Sequence, residues 1–185
     1  MVRSAFLACA LLEVLLAQAA ASGFTLSSPD FAADHPIPAI HLFNQYGCTG
    51  GNESPALQWH GAPAGTKSYA VTMFDLDEVG TPSGWWHWVV YDIPASATQL
   101  TQNAGRLNSP SLAPGAIQGR TDMGQDAYHG PCPDKGQPPH RYLITVYALS
   151  VAKLPVPPEA SGAMVSFTVR DYTLGKATLT ARYGR

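Results

Sequence analysis

A chain of 185 residues with a formal net charge of −2 and only 13% charged residues has room for one hydrophobic core. It has no bulk basic face with which to attract nucleic acid or an anionic membrane. A hydrophobic content of 45%, with no block of like charges, also excludes long disordered segments.

The first residues read as a secretory signal rather than as fold. Arg3 supplies a short basic region, Ala5 to Leu16 an apolar one interrupted by Glu13, and Ala17 to Ala21 a small-residue cleavage site. The apolar run is shorter than the ~20 residues of a membrane-spanning helix. Too few residues precede Cys9 for it to be a lipoprotein site. Residues 1–21 are therefore expected to be removed, leaving 22–185 as a single domain, periplasmic or secreted. Cys48 and Cys132 then remain, an even number in an oxidising compartment, and they are expected to pair. The alternative is two buried free thiols behaving as small hydrophobes.

Turn signals recur at short spacing, among them Asp34-His35-Pro36, Gly50-Gly51-Asn52, Ala62-Pro63-Ala64-Gly65, Pro82-Ser83-Gly84 and Ala113-Pro114-Gly115. Between them lie three segments of β-type composition, Ser68 to Phe74, Trp86 to Asp92 and Tyr142 to Leu149. The first two are joined by too short a connection for a parallel crossover, so the sheet should be largely antiparallel. Asp92 to Gln118 shows little periodicity and reads as a long irregular connection. After Pro157-Pro158 a helix is expected from Glu159 to about Leu174, stopped by Gly175. The β-branched Val165, Thr168, Val169 and Thr173 leave a strand as the alternative there. Leu179 to Tyr183 should close the domain as a short strand.

Ionisable groups gather at the ends of these strands: Asp75 and Asp77 after the first, His87 near the start of the second, His140 and Tyr142 at the start of the third. Residues i and i+2 of a strand share a face, so Asp75 with Asp77, and His140 with Tyr142, could point into one pocket. The segment Gly130 to Tyr142, with four prolines and two glycines, suits a rigid pocket rim. Imidazole N–H, a phenol and backbone N–H of a Gly-rich turn are donors suited to a phosphate or carboxylate. Asp75 would orient a histidine or hold an imidazolium. Arg141 alternates away from His140 and should lie outside. Trp85, Trp86 and Trp88 read as core and pocket wall, and His35, His41, His60 and His129 as surface or locally hydrogen-bonded residues.

Landmarks in register along the chain carry a resemblance: Gly50-Gly51-Asn52-x-Ser54-Pro55-x-Leu57-x-Trp59, Gly61-Ala62-Pro63, Gly84-Trp85-Trp86-His87-Trp88-Val89-Val90, the Gly130-to-Tyr142 block and the terminal Tyr183-Gly184-Arg185. The sequence resembles phosphatidylethanolamine-binding proteins of the bacterial YbhB/YbcL-like branch, relatives of Raf kinase inhibitor protein, from about Phe24 to Arg185. The resemblance implies a mainly β fold, with a large central antiparallel sheet, a second smaller sheet and a C-terminal helix. It also implies an anion pocket made by Asp75, His87, Gly130, Pro131, His140 and Tyr142, with Asp77 and Trp86 nearby. One departure touches that pocket. The family's usual Asp-Pro-Asp-Ala-Pro reads here Asp75-Leu76-Asp77-Glu78-Val79, which loosens the lip and adds a carboxylate.

The function expected is binding of a small anionic ligand such as a phosphorylated head group, with a protein partner inhibited in consequence. The alternative is a hydrolase using the same pocket, with Asp75, His87 and His140 as a two-His-one-carboxylate metal site or the histidines as acid and base. No Gly-x-Ser-x-Gly or His-Glu-x-x-His motif is present. No catalysis, cofactor or metal is therefore expected.

Overall fold

A computed structural model describes residues 23–157 and 159–185; the expected signal segment, 1–21, lies outside the described residues. Five strands form the large sheet: β3 (Ser68–Asp75), β4 (Trp85–Pro94), β6 (Ile117–Gln118), β7 (His140–Leu149) and β8 (Thr173–Tyr183). Their order is β6-β4-β3-β7-β8, antiparallel throughout. A smaller antiparallel sheet runs β1-β2-β5, from β1 (Thr25–Ser27), β2 (Leu57–His60) and β5 (Gln99–Leu100). A helix, α1 (Gly162–Tyr172), packs on β4, β3 and β7 of the large sheet.

The large sheet is buried on both faces, which explains the continuous apolar runs of β3, β4 and β7. On one face Val71, Met73, Trp88, Val90, Ile144 and Val146 meet Leu57, Trp59 and Leu100 of the small sheet. On the other, Ala70, Val89, Tyr91 and Leu149 meet Val165 and Val169 of α1. Fully burying a side chain of this size stabilises by roughly 1.5–3 kcal/mol, so these two interfaces hold the fold. Edge strand β8 alternates between buried and exposed residues over much of its length, as a strand with one solvated face should.

Two C-terminal expectations are corrected. The helix begins at Gly162, not Glu159, because Glu159 adopts φ 58°, outside the helical region. Ser161 then caps it, its Oγ accepting the Met164 N–H at 3.2 Å. Nor does Gly175 stop the helix: the chain turns extended at Thr173, and β8 runs through Gly175 to Tyr183. A Cβ at Gly175 would stand 2.8 Å from the Pro63 ring, so this glycine permits close approach rather than ending an element. The strand alternative for Val165 to Val169 is overturned, and the final strand is longer than Leu179–Tyr183. The stretch Asp92 to Gln118 is largely irregular but contributes β5 and β6.

Cys48 and Cys132 are joined by a disulfide across 84 residues, with Cα atoms 6.0 Å apart. A loop of that length stabilises by ~4–5 kcal/mol on the chain-entropy account.

Candidate functional site

The site forms where β3, β4 and β7 run beyond the cover of the small sheet. Asp75 ends β3 and faces Trp85 on β4 and Tyr142 on β7 across the ladder. Its carboxylate is 2% exposed and fully engaged. Oδ1 accepts the Asp77 N–H at 2.9 Å, turning the chain out of the strand, and Oδ2 lies 2.8 Å from His140 Nδ1. Asp75 is therefore both a turn cap and the partner that orients His140. The far nitrogen of His140, Nε2, meets Gln137 Oε1 at 2.8 Å.

His87 reaches the same carboxylate through a β-bulge. The β3–β4 register jumps from Met73 opposite Trp88 to Phe74 opposite Trp86, leaving His87 as the extra residue. A bulge re-aims the side chain it carries. Here it sends His87 toward Asp75, with Nε2 4.0 Å from Oδ2, and shifts the phase of the residues before it. His87 Nδ1–H donates to the His129 carbonyl at 2.7 Å, so Nε2 is the nitrogen turned to the site. Burial holds the His87 imidazole below its ordinary pKa, against the opposing pull of the His129 carbonyl and Asp75. Tyr142 closes the base: its ring meets His87 edge-on at 5.3 Å and stacks with His140 at 6.3 Å. Its hydroxyl is buried without a hydrogen-bond partner. Burial and the Asp75 charge push the phenol pKa far up.

Above this base opens a cavity of about 280 Å³ walled by Phe43, Tyr46, Trp85, Met123, His129 and Gly130, with Asp75, His87, Glu78, Cys132 and Pro133 completing it. Among the described residues, no Lys or Arg lines it. The rim is fixed from behind. Gly130 N–H donates to Asn52 Oδ1 at 2.8 Å, Phe43 N–H donates to Pro131 O at 3.1 Å, and the Arg185 guanidinium holds the Pro133 and Gly47 carbonyls. A Cβ on Gly130 would stand 2.3 Å from the His41 carbonyl oxygen, so only glycine permits this approach.

The structure thus brings Asp75, His87, His140, Tyr142 and Gly130 together and leaves three expected residues aside. Asp77 does not share the Asp75 site, because β3 ends at Asp75 and the i+2 rule lapses there. It instead takes Arg141 in a two-pronged pair, Nε–Oδ2 2.8 Å and Nη2–Oδ1 2.6 Å, which lowers its pKa to about 2. Arg141 lies outside, as its alternation requires. Trp86 lies on the helix side, against Phe74 at 4.4 Å and over Gly162; the bulge puts Trp85 in the cavity wall in its place. Pro131 is buried behind the rim and contributes its carbonyl to Phe43.

Other residues of the site were not anticipated. His129, read as a surface or locally bonded residue, is buried in the cavity wall and supplies the carbonyl that orients His87. Burial lowers its pKa too. Gln137 flanks His140 with no periodic signal to announce it, whereas Glu78, expected to add a carboxylate to the lip, does stand beside His140. His41, also read as superficial, is buried and sits 3.4 Å from Asp30, behind the rim.

The profile of the phosphatidylethanolamine-binding protein family matches residues 27–184. The chain belongs to this family. It is 43% identical over 165 residues to the UPF0098 protein YbcL of Escherichia coli K12, covering 89% of this chain and 90% of that one. The crystal structure of E. coli YbcL superposes with a TM-score of 0.85 at 42% identity, over 89% of this chain and 99% of the other. E. coli YbhB is 44% identical over 158 residues, 85% of this chain and 98% of the relative. A putative lipoprotein LppC of Mycobacterium tuberculosis is 32% identical over 164 residues, 89% of this chain and 74% of its own. The family's two-sheet architecture with one C-terminal helix is the fold seen here.

The chain offers a pocket with the His87 and His129 imidazoles and the Asp75 and Glu78 carboxylates among apolar and aromatic walls, and a disulfide sulfur at the rim. Such a surface can hold a small polar group at the base and an apolar substituent against the walls.

Proposed function

We propose that this chain is an exported binding protein for a small anionic ligand, of phosphate or carboxylate type, held at the base of the Asp75–His87–His140 pocket. The observation that carries the reading is the convergence of two buried imidazoles and a partnerless tyrosine hydroxyl on one carboxylate beneath an open cavity. Asp75 is spent on orienting His140. With His87 Nδ1–H given to the His129 carbonyl and both His140 nitrogens engaged, the donors left for an anion are the Tyr142 O–H and, once His87 is protonated, its Nε2–H. Phe43, Tyr46, Trp85 and Met123 would take an apolar substituent, so an organic phosphate or carboxylate should bind more tightly than inorganic phosphate.

Binding without catalysis is the reading favoured for this pocket. The one cysteine in its wall among the described residues, Cys132, is held in the disulfide and offers no thiolate nucleophile. Export is supported by that disulfide, by the signal-like composition of residues 1–21 and by the lipoprotein among the relatives.

Calorimetric titration with phosphate, phosphoethanolamine and acetate tests the reading. Saturable binding should be lost in His140→Ala and in His87→Gln and kept in Arg141→Ala, which lies outside the pocket. Unchanged affinity in both histidine variants, with folding verified by circular dichroism, would remove the pocket as the binding site.

A further inference from the structure

Glu78 stands where the family pattern shows alanine, and it adds a second carboxylate to the pocket. A carboxylate oxygen of Asp75, one of Glu78 and a ring nitrogen of His140 all lie within 4.8 Å of one another. Glu78 Oε1 accepts the Gly80 N–H at 2.6 Å, which holds the carboxylate at the lip. Two carboxylates at that spacing, one of them fully buried, repel unless a positive charge joins them. Among the described residues no Lys or Arg lines the cavity to do so, and Arg141, on the neighbouring strand position, is committed to Asp77.

The imidazoles add an independent observation. Metal-binding histidines present one nitrogen to the ion and donate the other N–H to an oxygen. His87 has that arrangement, whereas each ring nitrogen of His140 already has a partner. His87 donates Nδ1–H to the His129 carbonyl and turns Nε2 to Asp75; His140 has Nε2 against Gln137 Oε1 and turns Nδ1 to Asp75. The neutral His87 side chain is buried, and its Nε2 meets the Asp75 oxygen acceptor to acceptor at 4.0 Å. That is too long for a hydrogen bond. Zinc, taking histidine and carboxylate at about 2.0–2.2 Å each in a tetrahedral shell, would draw these two atoms closer than their present 4.0 Å. The partnerless, fully buried Tyr142 hydroxyl stands beside the same carboxylates.

We propose that Asp75, Glu78 and His140, completed by Nε2 of His87, form a site for one divalent transition-metal ion of the zinc type, with its open face toward the cavity. The donor set of two carboxylates and imidazole selects against the alkaline earths, which prefer all-oxygen shells. The ion would take the place of the hydrogen bond between His140 Nδ1 and Asp75 Oδ2, its proton leaving to solvent, and their 2.8 Å contact would open as both bind the ion. Glu78 supplies the second carboxylate of this site and has no part in the anion reading, so the metal site does not rest on that reading.

The experiment is a zinc titration of the disulfide-bonded protein after treatment with a chelator, read by calorimetry, with cobalt absorption as a second probe of the ligand field. One ion per chain is expected. Glu78→Ala, which restores the family's residue, should weaken zinc at least about tenfold, a ligand counting for no less than the outer-shell groups whose loss costs 10–100-fold. Glu78→Gln, of the same shape, should show the same loss. Asp77→Asn, one residue away but turned outside, should not. Zinc bound equally by wild type and Glu78→Ala, or not bound by wild type at all, would overturn the site. Phosphoethanolamine affinity in Glu78→Ala separates the two readings: an anion pocket survives this substitution, whereas the metal site does not.

Discussion

The two sides of the pocket are built in opposite ways. The rim, Gly130 to Pro133, is tied at nearly every residue to something distant in sequence: Asn52, Phe43, Cys48 and Arg185. The lip, Leu76 to Gly84, is held mostly by its own short-range bonds. Gly80 N–H reaches back to Glu78, and Thr81 Oγ1–H donates to the Gly84 carbonyl. Its ties to the sheet near the site cluster at its first two residues: Leu76 N–H donates to the Arg141 carbonyl at 3.1 Å, Asp77 N–H donates to Asp75, and the Asp77 carboxylate accepts from the Arg141 N–H and guanidinium. Val79, at its tip, is 74% exposed. Long-range ties fix a shape before any ligand arrives, whereas local ones let it adjust. The rim therefore supplies geometry, and the lip, which has lost the family's prolines, supplies this chain's individual chemistry through Glu78.

Breaking the rim should cost most. Cys48→Ser with Cys132→Ser should lower unfolding free energy by about 2–5 kcal/mol, measured by denaturant unfolding against the oxidised parent. Since Cys132 also walls the cavity, ligand affinity should fall with it. A double variant as stable as the parent would show that the hydrogen bonds alone hold the rim. Next in size is Gly130→Ala. The new methyl would meet backbone at the His41 carbonyl and at Phe43 N, which cannot swing away, so a loss of about 1–3 kcal/mol is expected. No loss would mean that the rim yields as readily as the lip.

The same contrast explains what could be read in the sequence. Strands β3, β4 and β7 announced themselves because burial on both faces leaves uninterrupted runs of β-formers. The paired cysteines followed from their number and the inferred compartment. The small sheet did not announce itself: strands of two to four residues carry no period to recognise. At the site, Asp75, His140 and Tyr142 follow from strand alternation, but alternation failed at two irregularities. The bulge at His87 exchanged Trp86 for Trp85, and the Asp75 cap ended the strand before Asp77. His129 comes from irregular chain, where position depends on long-range contacts that no local pattern records. The helix start was missed because a left-handed Glu159 looks in sequence like an ordinary first-turn acid.

A smaller effect links the two sides through pH. His87 and His129 both have pKa values lowered by burial, so the unfolded chain takes up protons at higher pH than the folded one. Their contribution is fully present above the unfolded value near ~6.5 and diminishes as pH falls toward the folded values. Asp75 and Asp122 face His87 and oppose the shift without cancelling it. Denaturant midpoints taken from pH 7.5 down to 5.0 in chelating buffer should decline, and the decline should shrink in His129→Gln. A midpoint that rises on acidification would mean that these imidazoles gain charge in the fold.

The smallest effect belongs to the lip's own ion pair. Arg141 is exposed and Asp77 half-buried, and solvent screens such pairs even when the geometry is two-pronged. Asp77, with its pKa lowered to about 2, adds stability that is present above the ordinary aspartate value near ~3.9 and is lost as pH falls through about 2. At neutral pH Arg141→Ala should therefore shift the unfolding midpoint only slightly, and less still at high salt. Its informative readout is the site next door. If the lip moves independently of the sheet, loss of this tie should speed amide exchange at Glu78 and Val79 and leave Gly130 and His129 protected. Equal change on both sides would show that rim and lip move as one body, and the division of labour between them would fall.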